Sequence, residues 1–119
     1  MGKRILVIEE DTNFLCIIAT ALTEEGFEVI SSTNSEPLNS LMEINPDIIL
    51  LDHSLGCSLG QVICKELNED PETEHIRVLL VSTARNPGET KTLGNSGKYI
   101  TKPFDIYKLV GEVKNFLSS

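Results

Sequence analysis

Asp47-Ile48-Ile49-Leu50-Leu51-Asp52 decides the fold. Four aliphatic residues stand in a row between two aspartates, without the alternation of a half-exposed strand. Such a run suits a strand buried on both faces, the kind found in parallel sheets covered by helices. Asn45-Pro46 just before it breaks the preceding element. Ile5-Leu6-Val7-Ile8 is a second run of this type and stops at Glu9-Glu10-Asp11. Ile76 to Val81 is another, closing on Ser82-Thr83, and Lys98-Tyr99-Ile100-Thr101 precedes Lys102-Pro103. Phe27 to Ile30 completes the set of strands.

Helical periodicity fills the intervals. Phe14, Leu15, Ile17, Ile18, Ala21 and Leu22 recur at three- and four-residue spacing, with Gly26 as C-terminal cap. Ser35 reads as an N-cap, with Pro37 in the first turn and Leu38, Leu41, Met42 and Ile44 on one face. Gly60 to Asn68 is helical through Val62, Ile63 and Leu67, and Asp70-Pro71 ends it. Ile106, Leu109, Val110, Val113, Phe116 and Leu117 form a stripe to the C-terminus. Residues 85–97 hold Pro87, Gly88, Gly94 and Gly97, so the helix expected there, fourth in order, is short or irregular. Strands alternating with helices predict an α/β fold: a doubly wound, five-stranded parallel sheet with right-handed crossovers and helices on both faces. A barrel needs eight such units.

A chain of 119 residues fits one domain, since single folding units cluster near ~100–150 residues. With 40% hydrophobic and 24% charged residues, disorder is excluded as its main state. Acidic residues outnumber basic ones by 18 to 10, a net charge of −8. That balance opposes contact with nucleic acid or an anionic membrane surface, both of which select Lys and Arg. No apolar run approaches the ~20 residues of a membrane span, and the start lacks the pattern of a signal peptide. Cys16, Cys57 and Cys64 have no metal-ligand spacing. They read as reduced thiols of a cytoplasmic protein, with Cys16 and Cys64 packing as small hydrophobes. His75, between Glu74 and Ile76 in an acidic turn, is expected to be solvent-exposed.

Parallel strands bring their carboxyl ends to one edge, where ligands bind at the reversal of strand order. The strand ends here are Glu9 and Glu10, Asp52, Ser82 and Lys102. Carboxylates gathered this way repel unless a cation joins them. A hard divalent ion such as Mg²⁺ suits oxygen donors, and a lysine beside it suits a phosphoryl group. The set points to metal-assisted phosphoryl transfer, with a carboxylate as nucleophile.

Four motifs in order carry a family resemblance: Ile5-Leu6-Val7-Ile8-Glu9-Glu10-Asp11, Pro46-Asp47-Ile48-Ile49-Leu50-Leu51-Asp52, Val81-Ser82, and Tyr99-Ile100-Thr101-Lys102-Pro103-Phe104. Over essentially its whole length the chain resembles the receiver domain of two-component response regulators. The resemblance implies a receiver domain over residues 1–119, with the flavodoxin-like strand order 2-1-3-4-5. It implies Asp52 as phosphoacceptor, and Glu9, Glu10, Asp52 and the Ser54 backbone carbonyl as Mg²⁺ ligands. Ser82 matches the switch hydroxyl, Tyr99 the aromatic that changes rotamer, and Lys102 the partner of the acyl phosphate. Pro103 follows Lys102 through a peptide bond that is usually cis in this family. The implied partners are a sensor histidine kinase or phosphotransfer protein and a downstream protein target, with no nucleic acid or membrane contact by this domain. The implied molecule is a cytoplasmic monomer or weak dimer, a signalling module rather than a turnover enzyme.

The sequence also departs from the family pattern. Glu10 stands where aspartate is usual, and the extra methylene displaces its carboxylate by about 1.5 Å. Gly56 and Leu59 replace a common proline and aspartate in the loop after Asp52. Thr83 replaces a common alanine, and the Ser82-to-Lys102 interval is shorter than the family's. Glu10, Gly56 and Leu59 keep a second reading open: a pseudo-receiver, the same fold serving as an interaction module without phosphorylation.

Overall fold

β1 (Arg4–Ile8) pairs in parallel with β2 (Glu28–Ser32) on one side and β3 (Ile48–Asp52) on the other. β4 (Arg77–Ser82) and β5 (Gly97–Thr101) extend the sheet to the order β2-β1-β3-β4-β5. The helices are α1 (Thr12–Glu24), α2 (Leu41–Ile44), α3 (Leu59–Glu69) and α4 (Ile106–Ser118), and a 3₁₀ turn over Glu36–Ser40 runs into α2. This computed structural model describes residues 3–52, 59–82, 97–101 and 105–118, with backbone alone at 52, 59–61, 82 and 97–101. The helix expected within 85–97 lies outside the described residues.

Strand alternation divides the core in two. Ile5, Val7, Ile48, Leu50, Leu79 and Val81 face Ile18 and Leu22 of α1 and Leu109, Val113 and Phe116 of α4. Leu6, Ile8, Ile49, Leu51, Val78 and Leu80 face Ile63, Cys64 and Leu67 of α3, with Leu38 and Leu41 packed at the margin. The central strands are therefore apolar on both faces over Ile5 to Ile8, Ile48 to Leu51 and Val78 to Val81, as the sequence predicts for parallel strands. At the opposite edge from the strands' carboxyl ends, Arg4 ties three segments together. Its Nε donates to Glu28 Oε2 at 2.9 Å, its Nη1 to the Ile44 carbonyl, and its backbone N–H to Asp47 Oδ2 at 2.8 Å.

The helical elements depart from expectation at three places. Ser35 makes no side-chain capping bond, and the segment it opens is a 3₁₀ turn followed by only four α-helical residues. Ser40, at φ −124° and ψ 28°, interrupts the helical path between them. Met42, predicted on the apolar face, is 57% exposed, and so is Ile17 of α1, at 53%. Gly26 adopts φ +94° as the predicted cap, a conformation that favours glycine. His75 is exposed, with Nε2 lying 3.3 Å from Asn45 Oδ1.

The cysteines separate. Cys64 is fully buried in the second core, but Cys16, expected to pack as a hydrophobe, is exposed on α1. With Cys16 added to the six-residue pattern, the apolar positions of α1 span more of its circumference than the sheet and α4 cover, which leaves Cys16 and Ile17 outside. Cys57 lies outside the described residues. Burial pushes the Cys64 thiol up from 9.0 to about 11. The neutral thiol is favoured in the folded state, so its stabilising contribution is whole below pH 9.0 and is lost as pH rises through about 11. Near neutral pH a maleimide should label Cys16 in the native protein, and Cys64 only after urea is added, as read by peptide mass. Equal labelling of both in the native protein would contradict the core position of Cys64.

Candidate functional site

The carboxyl ends of β1, β3, β4 and β5 lie side by side in that order. β1 is flanked by β2 on one side and β3 on the other, so successive crossovers part at the β1–β3 crevice, which is the topological switch point of this sheet. The register is explicit: Ile8 pairs with Leu51, Asp52 with Val81, and Ser82 with Thr101. Continuing by one residue sets Glu9 level with Asp52 on an adjacent strand, where backbones run roughly 4.8 Å apart. The Ser82 end of β4 pairs with Thr101, where β5 ends. The ends of β1, β3 and β4 that the sequence singles out are thus neighbours along one edge.

Glu9 carries the most informative side chain of this edge. Its backbone N–H donates to the Ser32 carbonyl at 3.0 Å, which extends the β1–β2 pairing one residue past β1. Its carboxylate is only 3% exposed, and Oε2 accepts the Asp11 N–H at 3.1 Å. A buried carboxylate needs compensating donors or positive charge, because desolvation penalises its charged form. The next residue, Glu10, is exposed. Both are hard oxygen donors of the type a divalent cation takes. Among the described residues no group of three or more His, Cys, Asp or Glu side chains is gathered closely enough to hold a metal ion.

Asp11 has a role the sequence reading missed. Its Oδ1 accepts the N–H of Asn13 at 2.9 Å and of Phe14 at 3.2 Å, so it caps the N-terminus of α1. The signal was present: an aspartate three residues ahead of Phe14, the first periodic apolar residue, is an N-cap candidate. Of the other predicted site residues, Asp52 and Ser82 end β3 and β4, and Tyr99 lies within β5. Ser54, Thr83, Lys102 and Pro103 lie outside the described residues, as do His53 and Gly56.

A match to the response regulator receiver domain covers residues 5–114. The chain belongs to that family. It is 31% identical over 121 residues to the phosphate regulon transcriptional regulatory protein PhoB of Pseudomonas aeruginosa, covering 98% of this chain and 52% of that protein. The chain thus spans about half the length of the PhoB relatives it matches. With the polar-differentiation response regulator DivK of Brucella anthropi it shares 28% identity, covering 98% of both proteins. A response regulator from Thermotoga maritima superposes with a TM-score of 0.82 at 22% identity, over 100% of both chains. The receiver domain of a sensor histidine kinase from Pseudomonas aeruginosa, solved with a magnesium ion coordinated in its active-site cleft, gives 0.78 at 20% identity, again over 100% of both. At such identities these two structures speak for the fold alone. No described helix is long and apolar enough to cross a membrane.

The Asp11 cap can be measured separately from any chemistry at the site. Asp11→Ala should lower the unfolding free energy by about 0.5–2 kcal/mol, and Asp11→Asn, which keeps the acceptor, should stay near wild type. Urea denaturation of the three proteins checks this; an Asn variant as unstable as the Ala variant would remove the cap from the account.

Proposed function

We propose that Asp52 accepts a phosphoryl group from a phosphohistidine on a sensor histidine kinase or phosphotransfer protein, and that the acyl phosphate biases a protein-interaction surface. The observation that carries this reading is the register at the switch point: β3 ends on Asp52 beside the buried Glu9 and exposed Glu10 that follow β1. Membership of the receiver family supports it. The unit is one receiver domain, residues 1–119, and such a phosphodonor implies a cytoplasmic location.

Glu9, Glu10, Asp52 and the Ser54 carbonyl are the oxygen donors that would hold Mg²⁺. When bound, that ion supplies positive charge against the oxygens of the transferring group. A carboxylate oxygen of Asp52 forms the bond to phosphorus as the nitrogen–phosphorus bond breaks and the imidazole departs. Lys102 pairs with a phosphoryl oxygen where the carboxylates alone would repel it. Ser82 donates its hydroxyl to another phosphoryl oxygen, and Tyr99 takes up the space that this vacates. Thr83 narrows the approach of water to the acyl phosphate, and Pro103 sets the turn after Lys102. Phosphorylation places a group of about −1.5 to −2 charge at an edge that already holds Glu9 and Glu10. That is a large local change with which to bias two packings of the neighbouring strands and helices.

The exposed Glu10 favours the pseudo-receiver as the second reading, because its longer side chain suits octahedral Mg²⁺ less well. Incubation with Mg²⁺ and acetyl phosphate, read by intact mass, separates the two. The expected result is one phosphoryl adduct in the wild type, absent from Asp52→Asn and absent without Mg²⁺. Glu10→Asp, shorter by about 1.5 Å, should reach half-maximal labelling at lower Mg²⁺. No adduct at saturating donor, with BeF₃⁻ also failing to bind, would put the pseudo-receiver in its place.

A further inference from the structure

We propose that the groove between α3 and the segment formed by the 3₁₀ turn and α2 docks a basic, amphipathic helical segment of another protein. The groove has a volume of about 260 Å³, and Leu38, Leu41, Val62, Ile63, Glu66 and Leu67 are among its lining residues. Leu38 and Leu41 are half-buried at the margin of the second core, and Val62 is 48% exposed. Among the described residues this apolar surface lies open to water, and a partner laid on it would bury it.

The groove follows from the way the chain crosses from β2 to β3. α1, α3 and α4 have 13, 11 and 13 residues, whereas α2 has four. The short element covers the sheet beside α3 incompletely. At about 260 Å³ the space lies below the ~300–1,000 Å³ of typical small-molecule pockets. It suits a few apolar anchors spaced i, i+3 or i+4 on a helix laid along it.

Charge selects the occupant. Glu66 lines the groove, Glu36 and Glu43 are exposed on the segment forming one wall, and Glu69 is exposed at the end of α3. Lys65 lies about 100° around α3 from Glu66 and is not among the described lining residues. The chain as a whole carries −8. Lys or Arg flanking the apolar anchors complements Glu66 and the net negative charge of the chain, whereas a second copy of the same chain would bring like charge to it.

The test uses the unphosphorylated full chain, so it stands or falls independently of the Asp52 reading. Three fluorescein-labelled peptides are titrated by anisotropy: a designed helix with leucines at i, i+4 and i+7 flanked by lysines, the same peptide with Glu for each Lys, and the same with Ser for each Leu. Only the first should bind. Glu66→Lys and Val62→Ser should each weaken binding by roughly fivefold or more, with amide shift changes at residues 38–41 and 62–67. Both positions are exposed, and unchanged thermal melts establish that the variants fold. The proposal is overturned by no binding at millimolar peptide, or by binding indifferent to peptide charge or to both substitutions. Shift changes centred on Ile17 and Tyr107 of the other face, or a wild-type dimer that Glu66→Lys dissociates, would overturn it equally.

Discussion

The parallel pairing of β1 with β3 is the constraint on which the rest depends. Its register, Ile5 with Ile48 through Ile8 with Leu51, sends alternate side chains of both strands into opposite cores. Because side chains alternate with a period of two, a slip of one residue would send each strand's side chains to the other face. The same slip would carry the Asp52 end of β3 out of line with Glu9. Core packing and site assembly are therefore fixed by one set of backbone hydrogen bonds. The aliphatic residues enforce the register, and the polar residues at the strand ends inherit their positions from it.

Among the described residues the two faces of the sheet are covered differently. On one face α1 and α4 lie together, joined also by an ion pair between Glu25 and Lys114 at the outer surface. That exposed pair contributes little by itself, since side-chain entropy and solvent screening offset most of its attraction. On the other face α3 supplies Ile63, Cys64 and Leu67, while the 3₁₀ turn and α2 contribute only the flanks of Leu38 and Leu41. At the edge opposite the site Arg4 links β1 to Glu28, Ile44 and Asp47, so the short crossover is anchored at its far end. The anchoring holds β2, α2 and β3 together at a place where apolar cover is thin.

Much of this was legible in the sequence because parallel strands write themselves as unbroken aliphatic runs. Ile5 to Ile8, Ile48 to Leu51 and Val78 to Val81 have no solvent face, and each stops where the chain turns polar at the carboxyl edge of the sheet. The helices were less legible. Four apolar residues after Ser35 satisfy a helical template, yet the segment contains Pro37, Asn39 and Ser40 and folds mostly as a 3₁₀ turn. Periodicity shows which residues share a face if a helix forms, and it does not show how long the helix persists. For α1 the pattern overstated burial, since which of six apolar positions are covered depends on where α4 lies, a tertiary fact. Ile17 is the one of the six left outside, and Cys16 beside it is exposed as well.

The acidic run after β1 shows how backbone geometry gives one chemical group three different tasks. Glu9 still belongs to the sheet through its bond to Ser32, so its carboxylate is carried into the buried edge of the crevice. Glu10 follows in the bend that leaves the strand and is exposed to solvent. Asp11 has the extended backbone of an N-cap, φ −79° and ψ 111°, and turns its Oδ1 onto the first turn of α1 while its own N–H bonds Glu9. The cap and the buried carboxylate are thereby coupled: the start of α1 fixes Asp11, and Asp11 orients Glu9. A carboxylate engaged in capping two amides is poorly placed to ligate a cation, so any cation held at this edge would draw on Glu9 and Glu10 instead.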